Sequence, residues 1–291
     1  MILQFLANGL IAGAIFSLMG LGIGLVYNTT KVLHIAYASI FVSGAYALYF
    51  FLKVLHFSLF FSIVLAILIA MILNILIEVF VYKPCYLRKT SSAIPLISSI
   101  GTYVVLTNLI ALIFGNETKI VTSGIEKSFQ FGSVILTRIQ IIQFAAFLLL
   151  FTLYLILLKR TKFGKLIRAF ANNPELLSMC GVEVLNLRIL IFGLSGIFAG
   201  VASCLVALDI GIDPYAGMSI LLVALVSLIV GGVGIFESAV FGGFLIGIIQ
   251  NLVVWKISAR WQDCITFLIL ILFLLLRPQG ILGIKKRMEE L

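Results

Sequence analysis

Charge is the scarcest commodity in this sequence: Asp, Glu, Lys and Arg together make up 11% of 291 residues, while 63% are hydrophobic. A soluble domain carries about 25% charged and about 45–50% apolar residues, so this chain has too little polar surface to cover a globule in water. A soluble enzyme is excluded. Proline is also rare, at five, against 25 glycines. Few helix breakers and many small residues suit helices that pack closely in lipid. The four cysteines, Cys85, Cys180, Cys204 and Cys264, form no CxxC pair and stand beside no histidine cluster, so they read as free thiols. No GxxxxGK[ST] phosphate loop occurs, and the FGK at 163–165 is part of a basic connection. Any ATP chemistry must therefore belong to a partner. No cleavable signal is expected, because the first side-chain charge is Lys31; the N-terminus reads as the first span.

What is present is a series of long apolar runs. A spanning helix needs about 20 apolar residues, and nine candidates lie at 3–26, 33–52, 57–82, 94–114, 139–158, 189–208, 216–232, 239–255 and 263–276. The expectation is an all-α, polytopic helical membrane protein: one transmembrane domain over 1–291, with no room for a separate soluble domain. The count could be eight or ten, because GGVGIFES at 231–238 also suits a broken or re-entrant helix. The net charge of +9 bears on topology rather than on nucleic acid, which is not expected as a partner. With the C-terminus inside, the cytoplasmic side collects fourteen of the twenty Lys and Arg residues, from Lys31, the 83–89 and 159–188 connections and the segment after 276. The outer side keeps Lys53, Lys119, Lys127, Arg138, Lys256 and Arg260. Nine spans then put the N-terminus outside.

Small residues recur at helical spacing in the first span (Gly9, Gly13, Ser17, Gly20, Gly24), the sixth (Gly193, Gly196, Gly200, Ser203) and the eighth (Gly243, Gly247, Asn251). Such stripes are contact surfaces between membrane helices. Small-residue patches at 39–45 and 238–243 hint at an internal repeat linking the first two spans to the seventh and eighth, the arrangement that in transporters places the pathway between repeats. Polar residues within spans are few: Asn8, His34, Asn74, Glu78, Asn108, Gln143, Gln250 and Asn251. Glu78, four residues after Asn74, is expected at the inner interface, paired with the Lys83 loop; the rival role is proton relay. His34 is expected at the inner mouth of the second span, as hydrogen-bonded structure rather than a proton switch. A pump driven by protons or sodium would show more buried charge.

The connection at 159–188 reads KRTKFGKLIRAFANNPELLSMCGVEVLNLR and predicts a short helix over 174–180. Asn173 is a good N-cap, Pro174 suits the first helical position, Glu175 favours the positive dipole end, and Gly181 suits the residue past the end. A capped helix on a basic loop can be a ridge gripped by another protein or an interfacial helix lying on lipid headgroups.

The run RAFANNPELLSMCGVEVLNLRILIFGLSGIFAGVAS at 168–203 resembles the membrane permeases of ABC importers for branched-chain amino acids. LGIGLVYNTTKVLHIAYASIFVSGAYALY at 21–49, GGVGIFESAVFGG at 231–243 and LRPQGILG at 276–283 are similar to further segments of that family, in order and spacing. Two segments depart from its pattern: Ile35, Ala36, Tyr37 and Ala38 stand where the family has FAHG, and Glu237 replaces a glycine before Ser238. The resemblance implies a permease without enzymatic activity in the bacterial cytoplasmic membrane. It implies a second permease, homo- or heterodimeric, two cytoplasmic ATPase subunits that hold ATP and Mg, and an extracytoplasmic binding protein. No cofactor is expected on this chain. It favours coupling for the 174–180 helix, with Arg168, Asn173, Pro174, Glu175, Leu176, Leu177 and Gly181 contacting the ATPase or holding the helix in place. His34, Tyr37, Asn74, Asn108, Gln250 and Asn251 are the pathway candidates. The alternative from another class is a stand-alone secondary transporter or channel, which needs no ATPase partner.

Overall fold

The computed structural model describes residues 2–121 and 128–283, with Phe131 described by its backbone alone. Lys127, Lys285, Lys286 and Arg287, which enter the charge count, lie outside the described residues. The helices are α1 (Ile2–Thr30), α2 (Tyr37–Tyr49, continued by a π turn at Phe50–Val54), α3 (Leu59–Ile77) and α4 (Lys83–Leu87), the last two joined through a π turn at Glu78–Tyr82. Then follow α5 (Ala93–Phe114), a hairpin of β1 (Ser128–Phe131) and β2 (Val134–Thr137), and α6 (Arg138–Arg160). The connection after α6 holds α7 (Lys162–Asn172) and α8 (Pro174–Met179). The remainder is α9 (Val184–Asp209), α10 (Ala216–Gly231), α11 (Ser238–Lys256), a 3-10 turn at Ala259–Trp261 and α12 (Gln262–Leu276).

Each apolar run of the sequence became a helix. Among the described residues, eight helical segments are long and apolar enough to cross a membrane. The ninth, α10, has 16 residues, so at 1.5 Å per residue it reaches about 24 Å, short of a hydrocarbon core of about 30 Å. The helices alternate in direction. One end of the bundle is marked by Gln4 Nε2 donating to Ile135 O at 2.8 Å and by the paired backbones of Lys119 and Ile212. The other is marked by Gly234 N donating to Asn28 Oδ1 at 2.9 Å and by the Lys159–Glu237 ion pair at 3.1 Å. The second end carries Lys31, Lys89, Lys159, Arg160, Lys162, Lys165 and Arg168, so it is the cytoplasmic end.

The glycine stripes are where backbones meet. A Cβ on Gly13 of α1 would lie 2.9 Å from Phe244 Cα of α11, and one on Gly9 would lie 2.8 Å from Ile248 Cα. On α9, Cβ atoms on Gly196 and Gly200 would meet Met71 Cα and Ile67 Cα of α3 at 2.8 and 2.9 Å. Two close-packed helix pairs, α1 with α11 and α3 with α9, thus form the framework, and α2 lies buried against α9, α3 and α10.

The second span begins later than the 33–52 run predicts. Lys31 takes φ 58° and closes α1, its N–H donating to Tyr27 O at 3.0 Å. A non-helical stretch at 31–36 then turns back into the bundle, and α2 starts at Tyr37, whose hydroxyl donates to Ser195 O at 2.9 Å. Ser195 is 11 residues into α9, about 16 Å along its axis. Irregular backbone at the inner end of α2 is tolerated where protein surrounds it, as it does His34 and Ala36.

Candidate functional site

That returning stretch buries His34 at the inner mouth of the second span, as expected, in hydrogen-bonded structure. The side chain is wholly buried. Its Nε2 lies 2.9 Å from Asn74 Oδ1 on α3, and its Nδ1 lies 2.8 Å from Tyr82 Oη. Asn74 Nδ2 donates to Phe192 O of α9 at 2.8 Å, so Oδ1 is the acceptor and Nε2 must carry the proton. A neutral imidazole then accepts at Nδ1 from Tyr82. Tyr82 Oη also lies 2.7 Å from Ser99 Oγ of α5, which accepts from Ala36 N at 2.9 Å. His34 precedes the spanning segment Tyr37–Val54. Burial pushes its pKa down to about 4, against a smaller upward pull from the Asn74 hydrogen bond, so it stays neutral at cytoplasmic pH. The histidine is the centre of a polar knot tying the 31–36 stretch to three helices.

The π turn at Glu78–Tyr82 explains how α3 contributes so many groups. Ordinary helical residues four apart drift around the axis, whereas i→i+5 bonding widens the turn, keeping Asn74, Glu78 and Tyr82 on the buried side. Glu78 does not pair with Lys83 as expected. It pairs with Arg188 in the first turns of α9: Arg188 Nη2 donates to Glu78 Oε2 at 3.0 Å, and Nε donates to Oε1. The two side chains are 2% and 1% exposed, and the guanidinium sits 4.6 Å from the Tyr86 ring centre. The sequence places Arg188 in the basic inner connection. Nothing in the run VEVLNLR distinguishes a loop arginine from one turned inward, except that it stands four residues after Val184 in a helix whose Leu187 and Ile191 are buried.

The short helix is formed nearly as its caps predict, as α8 over Pro174–Met179. Asn173 Oδ1 accepts from the backbone N–H groups of Glu175 and Leu176, both at 3.0 Å, and Gly181 takes φ 81° past the end. Leu177 is turned inward and buried, whereas Leu176 and Met179 are 59% and 81% exposed. The preceding α7 was not foreseen. Thr161 caps it by accepting from Gly164 N at 3.0 Å, it buries Gly164, Ile167 and Phe170, and it exposes Arg168. Four residues, 180–183, separate α8 from α9. Glu175 and Arg188 line one cavity of about 510 Å³ with Lys31, Tyr82, Tyr86 and Lys89, so the short helix, the ion pair and the histidine knot adjoin one another.

Of the six pathway candidates, the structure brings together His34, Tyr37 and Asn74; the His34 and Tyr37 ring centres are 5.6 Å apart. Asn108 stands apart on the exposed face of α5, its Nδ2 donating to Val104 O of its own helix. Gln250 and Asn251 sit on α11, where Gln250 Nε2 donates to Thr266 Oγ1 of α12 and Asn251 Nδ2 to Gly247 O.

Residues 5–274 match the family described as the branched-chain amino acid transport system / permease component. The chain belongs to this family. It is 30% identical to the high-affinity branched-chain amino acid transport system permease protein BraD of Pseudomonas aeruginosa, over 97% of this chain and 95% of that protein. It is 28% identical to the corresponding permease protein LivH of Escherichia coli K12, again over 97% and 95%. Among solved structures it resembles PsaBC from Streptococcus pneumoniae in complex with Fab, with a TM-score of 0.51 and 14% identity over 95% of this chain and 93% of that one. This last likeness shows a shared fold. The histidine knot, the buried ion pair and the capped helix therefore belong to a multi-pass permease component.

Proposed function

We propose that this permease is the transmembrane subunit of an ATP-driven importer for branched-chain or other hydrophobic amino acids, in the cytoplasmic membrane. Its partners are a second, similar permease, two cytoplasmic ATPase subunits that hold ATP and Mg, and an extracytoplasmic binding protein. Family membership supports the class of machine. The observation that carries the coupling role is α8: a rigidly capped helix at the basic end of the bundle, presenting Leu176 and Met179 outward beside the acidic Glu175. Exposed leucine and methionine side chains outside the spans suit an apolar groove on a partner. The helix would dock there, and closure of the ATPase would move it.

Leu177, buried beneath the helix, and the short link to α9 give that movement a path into the membrane. There α9 is joined to α3 by the Arg188–Glu78 pair, by Asn74 on Phe192 O, and by the glycine contacts. Displacing α8 would carry α3 and α9 as a unit past α1 and α11, the rigid-body shift by which helical proteins switch between discrete states. His34, Tyr37 and Asn74 lie where that unit meets α2, which is why we assign them to the pathway wall.

The test is Glu175→Ala with Leu176→Ala in the assembled importer, reconstituted in vesicles. Uptake should fall at least tenfold while ATP hydrolysis continues and the permease remains inserted. Unchanged uptake would sink the coupling assignment. If no ATPase accompanies the gently purified permease, the importer reading itself fails.

A further inference from the structure

Lys83 is left over once Glu78 is accounted for. Arg188 engages both oxygens of the carboxylate that was expected to answer it. Among the described residues, neither the Lys83 ammonium nor the Arg88 guanidinium makes a hydrogen bond or an ion pair. The two cations line one cavity of about 370 Å³ with Val79, Phe80, Pro84 and Leu87. Helix α4 thus serves two cavities: Cys85, Tyr86 and Lys89 line the one that adjoins α8, whereas Lys83, Pro84 and Arg88 line this one. An exposed apolar row runs along α3 through Val64, Leu68, Ile72 and Leu76 to Phe80, opposite the buried row of Ser62, Ala66, Ala70 and Asn74. The exposed row and the cationic cavity meet at Phe80.

Depth decides what this surface faces. The helical segment Leu59–Leu87 has 29 residues, about 43 Å at 1.5 Å each, whereas the hydrocarbon core is about 30 Å thick. Counted from Leu59, about 20 residues cross that core, so Val79 and Phe80 stand at its cytoplasmic boundary and Lys83 and Arg88 in the headgroup layer. A water-soluble anion would use the cations and leave the apolar row bare; a lipid uses both. Basic pockets at the cytoplasmic ends of spanning helices suit anionic headgroups. An arginine takes two oxygens of one phosphate, and a lysine adds a point charge. We infer that this groove on α3 and α4 is a site for an anionic phospholipid of the cytoplasmic leaflet, its phosphate held between Lys83 and Arg88 and an acyl chain lying along Phe80, Leu76 and Ile72. Phosphatidylglycerol fits best, because its headgroup has a negative phosphate and no ammonium to repel the two cations. The bound headgroup anchors α3 at the membrane surface about one turn beyond the Glu78–Arg188 pair. The inference goes beyond the importer reading and does not depend on which solute is carried.

The experiment is fluorescence quenching in the full-length permease, held in phosphatidylcholine nanodiscs. Trp255→Phe and Trp261→Phe remove the two native tryptophans, and Leu76→Trp sets a reporter in the apolar row. Lipid brominated on its acyl chains quenches an adjoining indole, so the signal reads occupancy of this groove rather than total lipid. Brominated phosphatidylglycerol should quench with about thirtyfold preference over brominated phosphatidylcholine, roughly fivefold for each cation near the headgroup. Lys83→Gln with Arg88→Gln should abolish that preference. Lys162→Gln with Lys165→Gln, which removes the same charge elsewhere on the cytoplasmic end, should leave it. Folding is checked by the thermal midpoint; should the double variant collapse, Arg88→Gln at its exposed position decides. Equal quenching by the two lipids, or equal loss from the two pairs of substitutions, would overturn the site, since bulk charge alone would then account for the attraction. Loss of the preference in millimolar inorganic phosphate would show a site for a free anion and refute the lipid. The preference should persist in the assembled importer; its loss there would make the groove a protein contact and refute the lipid equally.

Discussion

At the scale of single residues, the Arg188–Glu78 pair is the most consequential feature of the inner end. Desolvating two charges is costly, and their attraction offsets this only when both are present and well bonded. Here both carboxylate oxygens are engaged by one guanidinium that also stacks near Tyr86. Glu78→Gln or Arg188→Met alone should therefore destabilise the chain by about 3–5 kcal/mol, the usual cost of stranding a buried charge. The double variant Glu78→Leu with Arg188→Met should recover most of that loss, because apolar groups of similar volume replace a buried pair at little cost. Thermal unfolding in detergent, read as a double-mutant cycle, checks both. If the double variant is stable but no longer couples hydrolysis to uptake, the pair serves transmission rather than stability. Of this pair, the sequence disclosed only that Glu78 is a carboxylate near the inner interface. Its partner stands 110 residues away, and nothing local connects the two.

At the scale of elements, legibility follows the range of the forces involved. Helix α8 was readable because its determinants are local: the Asn173 side chain, the Pro174 ring and the Gly181 backbone act within eight residues. The end of α1 was not, because neither glycine nor proline announces it; Lys31 adopts a left-handed conformation that lysine rarely takes, and its Nζ donates to Asn28 O. The 33–52 run therefore takes His34 for a helical residue, whereas it lies in the irregular stretch before α2. The amphipathic α7 is hard to see in the sequence because its basic residues dominate the connection, while Gly164, Ile167 and Phe170 bury a narrow stripe beneath them. The glycine stripes read correctly as contact faces, since close approach of two backbones admits little else. They also differ from one another. Gly13→Ala places a methyl against the α11 backbone and should cost about 1–3 kcal/mol, as overpacking does. Gly101→Ala on α5, where a Cβ meets nothing within 4 Å, should instead raise stability by roughly 0.5–1 kcal/mol through helix propensity. Thermal midpoints of the isolated permease carrying each change would show opposite shifts.

At the scale of the whole molecule, the scarce charge is distributed with a purpose. The basic residues gather at the end that holds α7, α8 and the cavity beneath the histidine knot, and among the described residues the fully buried charges of the spans are a pair that neutralises itself. On the proposed coupling, the end that carries α8 must face the cytoplasm. The topology can be tested with cysteines. Cys180 is exposed beside α8, and Glu117 is exposed in the connection that pairs with Ile212 at the opposite end. With Cys85, Cys204 and Cys264 replaced by alanine, a membrane-impermeant maleimide added to intact cells should leave Cys180 unlabelled until the membrane is opened. In the same background with Cys180→Ala, Glu117→Cys should label at once. The reverse pattern would place α8 outside the cell, where no ATPase could reach it, and coupling through α8 and Arg188 would have to be abandoned.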